Sequence, residues 1–200
     1  MTLRQAQNGR IVLASKSASR QAMLSAAGVS FDAQPASVDE RALEAEMQGA
    51  RPDQIALALA EAKALAIDSE HPVLGSDSLV VCGGERYDKP ATREEAADHL
   101  RKFSGHVMQL HSAAAIARGG EIEWRHAALA SLQMRELSEE FIATYLDEEW
   151  PAVSQCVGVF RIEGPGVQLF ERIEGDQFTV LGMPLLPVLG ALRDMGVMQA

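Results

Sequence analysis

Between Ile11 and Gly28 the chain passes from a short apolar run, through a hydroxyl-rich loop, into a helical pattern that ends at glycine. Residues 11–14 (IVLA) are apolar and rich in β-branched side chains, and read as a buried strand. Residues 15–19 (SKSAS) interrupt that run. Over residues 20–27, Met23, Leu24 and Ala27 share one helical face, and Gly28 supplies the stop. Strand, loop, helix is the opening of an alternation that builds an α/β sheet.

The rest of the chain continues it. Residues 36–50 are acidic and have no clear period. Pro52 and Asp53 open a long helix to about residue 67, with Ile55, Leu59, Ala62 and Ala66 as its apolar stripe and Lys63 beside it. Apolar runs at 73–74 and 79–82 flank the insert Gly75-Ser76-Asp77-Ser78, and Gly83-Gly84 is a turn signal. Thr92-Arg93-Glu94-Glu95 is a capping box for a helix to about residue 103. Two strands are predicted over 106–134, broken at Gly119-Gly120. Ser138 caps a further helix, with Glu139 and Glu140 in its first turn and Trp150-Pro151 closing it. Residues 157–173 predict a hairpin turning at Gly164-Pro165-Gly166, and 182–187 lead into a last helix over about 188–195. Strands and helices alternate first and antiparallel strands follow, which implies a mixed α/β sheet flanked by helices. No linker interrupts it, so residues 1–200 read as a single domain.

Charge narrows the function. The chain carries a formal net charge of −10. That balance is wrong for a broad nucleic-acid footprint or for an anionic membrane surface. Two cysteines, Cys82 and Cys156, make neither a disulfide framework nor a CxxC metal pair, and read as reduced thiols. No run of 18 apolar residues could span a membrane, and residues 1–10 lack the apolar segment of a secretory signal. A cytoplasmic protein is expected.

Several residues could carry chemistry. Ser15 and Ser17, with Arg20 and Lys16, stand where a strand feeds a helix, so hydroxyls and unpaired N–H groups could surround a phosphate. The glycines of a Walker loop are missing, and taken alone a serine-rich turn that caps the helix accounts for the pattern. Asp77, between two apolar runs, could orient or deprotonate water or hold a divalent metal, or could be a turn aspartate bonded to its own backbone. Glu40, beside Asp39, is a second carboxylate candidate. Lys63 and Lys89 are candidate phosphate partners, Lys89 with its backbone fixed by Pro90. The five histidines show no metal spacing, and no GxSxG nucleophile elbow occurs.

Taken together, these blocks resemble the Maf family of nucleotide pyrophosphatases, also called septum formation inhibitor proteins. LASKSASR at 13–20 resembles the family's LASxSxxR loop, and Val38-Asp39-Glu40 its [VI]-[DE]-E segment. Residues 59–64 (LAEAKA) resemble its LAxxKA helix. Residues 74–80, then Lys89-Pro90 and Ser104-Gly105, resemble its GxDxxV…KP…SG run. Cys156-Val157-Gly158, Glu163-Gly164, Glu174-Gly175 and residues 181–185 (LGMPL) follow in order. The resemblance implies a Maf/ITPase-like mixed twisted sheet with two lobes around a central cleft, and hydrolysis between the α and β phosphates of a nucleoside triphosphate. It implies Asp77 as proton acceptor, and Ser15, Ser17, Arg20, Glu40, Lys63 and Lys89 on the substrate. It also implies a divalent cation, Mg²⁺ or Mn²⁺, with Glu40 and Asp77 as its ligands, and a homodimer.

Cys156 with Glu163-Gly164 looks like the family branch acting on 7-methyl-GTP rather than the one acting on dTTP and UTP. A carboxylate at 163 accepts from the N1–H and N2–H₂ of guanine, whereas thymine and uracil suit an amide. The resemblance also makes Ser19 and Ser78 specificity positions. At Ser19 the branch carries an aromatic residue that could stack on the base, a role Phe160 would have to take over. Two other classes stand beside the hydrolase. One is a nucleotide-binding division regulator without turnover. The other is an aspartyl-phosphate phosphatase, which lacks the second acid of its DxD motif here.

Overall fold

The computed structural model describes residues 9–199. Residues 1–8, most of the segment read above as no secretory signal, lie outside them. A buried triplet opens the fold as β1 (Ile11–Leu13). The Ser17 hydroxyl accepts from the Arg20 N–H and caps α1 (Ala18–Ala26), which stops where Gly28 takes φ +74°. The segment that showed no period holds two short elements, β2 (Phe31–Ala33) and α2 (Glu40–Glu46), the latter capped by Asp39 through the Ala42 N–H at 3.0 Å. Pro at the first turn starts α3 (Pro52–Leu65).

Residues 73–82 are one continuous strand, β3 (Val73–Cys82), not two runs around an insert, so Asp77 is a strand residue rather than a turn aspartate. The turn at Gly83-Gly84, both at positive φ, returns it as β4 (Glu85–Tyr87). Then follow α4 (Arg93–Phe103), β5 (Val107–Arg118), β6 (Glu121–Met134) and α5 (Glu139–Glu149). Thr92 and Ser138 cap the two helices through Glu95 N–H and Phe141 N–H, each at 3.1 Å. The expected hairpin at 157–173 does not form. Pro165 instead starts a 3₁₀ turn, Pro165–Leu169, and only β7 (Phe170–Glu174) is extended. It finds its partner in β6, from Ser131↔Glu174 to Met134↔Phe170. Two helices end the described residues, α6 (Gln177–Val180) and α7 (Leu185–Asp194).

Among the described residues seven strands form one mixed sheet in the order β2-β1-β3-β5-β6-β7, with β4 on β3. β1 is parallel to both β2 and β3, and β4 and β7 are antiparallel to their neighbours. The mixed α/β class is therefore as expected. The chain divides into two compact units, and β3, β5 and β6 contribute residues to both. The first takes the described residues up to Ser78, then Ser112–Ala128 and those from Gln177 onward. Its core is built on Ile11, Leu13, Leu24, Leu74, Ile116 and Leu192, none more than 0% exposed. The second takes Leu79–His111 and Leu129–Asp176, and buries Leu100, Phe103, Met108, Leu132 and Leu146. Among the described residues no helix is long and apolar enough to cross a membrane.

The α3 stripe differs from the expected one. Ala56, Leu59, Ala60 and Ala64 are buried, while Ala66 is exposed. The small alanines matter because Gly75 of β3 lies directly beneath them. A Cβ there would sit 2.5 Å from the Ala64 N and 3.1 Å from its Cα. Helix and strand backbones thus meet at a contact only glycine permits.

In the second unit, burial pushes the His99 imidazole below its usual value. Glu95, Asp98 and Asp88 oppose the shift and Lys102 adds to it. Its Nδ1 is buried without a hydrogen-bond partner. The unfolded chain takes up this proton at about pH 6.5 and the folded one resists it. Stability from this site is full above that pH and is lost as pH falls below it. Chemical denaturation between pH 7.5 and 5.5 should show this slope in the wild type and a flatter one in His99→Phe. Equal slopes would remove His99 as the source.

Candidate active site

The first unit assembles the chemistry from three elements. β3 runs past its pairing with β1, which ends at Leu13↔Leu74, so Asp77 lies beyond the carboxyl end of β1. Crevices at strand carboxyl ends are where open α/β sheets bind ligands. The close approach at Gly75 brings α3 down on β3, and Lys63, one residue before Ala64, reaches Asp77. Its Nζ donates to Asp77 Oδ1 at 2.5 Å. The Asp39 cap starts α2 at Glu40, whose Oε1 meets the same Nζ at 2.8 Å. The Lys63 and Asp77 side chains are 12% and 11% exposed, and that of Glu40 49%. One ammonium therefore bridges a buried and a wet carboxylate.

Arg20 completes the group. Burial pushes its guanidinium below the usual value, and Asp77 and Glu40 pull it back up. Its Nη1 donates to Ser15 Oγ at 3.3 Å, and its Nε to the Gly182 carbonyl at 2.9 Å. Ser15 Oγ also accepts from the Ser17 N–H at 3.2 Å. With both lone pairs engaged, the Ser15 hydroxyl keeps only its proton to offer, and that suits an anion. The loop before α1 is thus a helix cap, as the plainer reading had it, and also a cradle of donors beside a guanidinium.

Sequence reasoning brought Ser15, Ser17, Arg20, Glu40, Lys63 and Asp77 to one site, and the structure gathers all six in the first unit. Ser19 and Ser78 also lie there, and both hydrogen-bond to the 181–182 backbone. Ser19 Oγ donates to the Leu181 carbonyl at 2.9 Å and Ser78 Oγ to that of Gly182 at 3.0 Å. The role of Gly182 escaped the sequence reading, as did that of Ser76, which donates to the Ala113 carbonyl at 2.8 Å and to Gly182 at 3.2 Å. The LGMPL run at 181–185 was the only signal.

Lys89 and Glu163 belong to the second unit, where both are exposed and both act on the half-buried Cys156 thiol. Burial pushes that thiol up; Glu163 adds to the rise and Lys89 opposes it. The buried Glu149 carboxylate holds Arg161 through two bonds of 2.8 Å. Phe160 is 7% exposed and packs edge-on against Phe170 with ring centres 4.8 Å apart, so its face is not open for stacking.

A divalent cation takes hard oxygen ligands, and Mg²⁺ is commonly held by one or two carboxylates plus waters and substrate phosphates. Among the described residues no group of three or more acidic, histidine or cysteine side chains could hold a metal alone. Asp77 and Glu40, converging on one ammonium, fit a cation shared with a phosphate.

Comparison with known proteins agrees in kind. The family model described as Maf-like protein matches residues 10–195. A 7-methyl-GTP pyrophosphatase of Rhizobium meliloti (strain 1021) is 46% identical, over 95% of this chain and 98% of its own. One from Mesorhizobium japonicum is 47% identical, over 94% and 96%. A nucleoside triphosphate pyrophosphatase of Sphingopyxis alaskensis is 48% identical, over 94% and 98%.

Proposed function

Since the chain belongs to the Maf-like protein family, we propose that it hydrolyses nucleoside triphosphates to a nucleoside monophosphate and pyrophosphate. Relatives 44–48% identical over more than nine-tenths of the chain carry that activity in their names. The observation that supports it most is the meeting of Arg20, Lys63, Glu40 and Asp77 in one unit of a chain whose net charge is −10. An acidic protein binds a polyphosphate only where cations are concentrated locally.

Phosphoryl chemistry needs positioning and charge stabilisation more than a covalent nucleophile. Arg20 and Lys63 take phosphate oxygens, and the Ser15 and Ser17 hydroxyls with the α1 N-terminus take others. Asp77 keeps one carboxylate oxygen on Lys63 and turns the other to a water. That water adds to phosphorus and gives its proton to Asp77. The bridging P–O bond between the α and β phosphates breaks, and pyrophosphate leaves. When bound with the substrate, Mg²⁺ or Mn²⁺ would be held by Asp77 and Glu40 and would neutralise phosphate charge. The sequence motif makes Lys89 a further candidate cation for the phosphates. The free Cys82 and Cys156 suit a reducing, cytoplasmic setting.

We assign the base to Glu163 and the preferred substrate to 7-methyl-GTP. A carboxylate accepts from the guanine edge, and its charge suits a base made cationic at N7. Initial rates of pyrophosphate release from 7-methyl-GTP, GTP, dTTP, UTP and CTP with Mg²⁺ test both proposals. Release from none of them sinks the hydrolase. Glu163→Gln should cost about tenfold or more in kcat/KM for 7-methyl-GTP relative to UTP, the worth of a charged hydrogen bond. An unchanged ratio would end the assignment of Glu163 to the base.

A further inference from the structure

We propose that Ser19 and Ser78 are positioning residues that aim Arg20 through the Leu181–Gly182 backbone, and that neither reads the base. The inference rests on the triphosphate reading above.

Proton counting supports it. A serine hydroxyl has one proton to donate. That of Ser19 goes to the Leu181 carbonyl at 2.9 Å. That of Ser78 has two places to go, the Gly182 carbonyl at 3.0 Å and Ser112 Oγ at 2.7 Å, and both are protein groups. Ser112 in turn donates to the Thr179 carbonyl at 2.8 Å. A hydroxyl so committed has no proton left for a base carbonyl or ring nitrogen, and could meet a base only by accepting from it.

Of the two carbonyls they hold, that of Gly182 also holds Arg20, and that of Leu181 is the one before it in the chain. Gly182 accepts from Arg20 Nε at 2.9 Å, and it lies at φ +100°, a conformation L side chains rarely adopt. A Cβ at 182 would stand 3.3 Å from Ser78 Oγ, 3.7 Å from Arg20 Nη2 and 3.9 Å from its Nε. These are near-ordinary contacts, so it is the backbone conformation rather than lack of room that calls for glycine at 182. Ser15 fixes Nη1, so two edges of the guanidinium are set. Its remaining N–H groups are left in a fixed direction, as bidentate phosphate binding requires.

Inorganic tripolyphosphate, which has no base, separates the two roles. We expect Ser78→Ala and Ser19→Ala each to weaken its binding by calorimetry about tenfold, and Ser78→Thr, which keeps the hydroxyl, to restore it. With Mg²⁺, kcat/KM should fall alike for 7-methyl-GTP, GTP, UTP and dTTP, leaving their ratios unchanged. Thermal unfolding near that of wild type confirms that the variants fold. Unchanged tripolyphosphate affinity, or a shift in the nucleotide ratios, would overturn the proposal. Loss of the parent reading looks different. Wild-type protein would then bind tripolyphosphate and release no pyrophosphate from any nucleotide, and the binding series would still decide the role of the two serines.

Discussion

Asp77→Asn is expected to lower pyrophosphate release about 10³-fold, the usual worth of a general base. The amide oxygen can still accept from Lys63 Nζ, so the contact that ties α3 to β3 survives in neutral form. Removing one negative charge from beside Arg20 and Lys63 should leave tripolyphosphate affinity equal or higher. That split, intact binding with lost turnover, marks an acid acting on water rather than one holding the fold together. Wild-type turnover in this variant would take Asp77 out of the mechanism. Collapse of binding and turnover together, with a lower melting temperature, would make it a structural ion-pair partner.

Gly75→Ala carries the other large effect. The new Cβ meets α3 backbone atoms, which cannot rotate away as a side chain can. Helix and strand must separate, at about 3 kcal/mol. For a chain of this size that is roughly a 10 °C fall in melting temperature. Activity at temperatures where the variant remains folded should fall further, because Lys63 and Asp77 ride on the two displaced backbones. Gly190 of α7 is the control, since a Cβ there meets nothing within 4 Å. Gly190→Ala should be stabilising by about 0.5–1 kcal/mol. Equal stability for wild type and Gly75→Ala would show that the contact is soft and does not set the Lys63–Asp77 distance.

What could be read from sequence was what local physics decides. The β1–loop–α1 opening, the Thr92 and Ser138 caps and the break at Gly119-Gly120 each depend on residues a few positions apart. The errors came where distant partners decide. Gly75-Ser76-Asp77-Ser78 reads as an insert between two apolar runs because glycine and aspartate are poor strand formers in isolation. They stay extended because Lys63 and the carbonyls of Ala113 and Gly182 satisfy their side chains. The α3 face differs from its expected stripe because a helix rich in alanine has a weak apolar period. Gly164-Pro165-Gly166 suggested a hairpin, yet Phe170–Glu174 pairs with β6 instead. The site residues were legible as a set of motifs, but nothing local to Lys63 or Asp77 announced that they touch across 14 positions.

The hydrogen bond from Arg20 to Gly182 joins groups 162 positions apart. A ribosome makes Arg20, proposed above to bind phosphate, 162 residues before its anchor. Until that late carbonyl emerges and folds back, the guanidinium has no fixed bearing. A nascent chain would therefore hold the proposed acid and its cations well before it could aim them at a nucleotide.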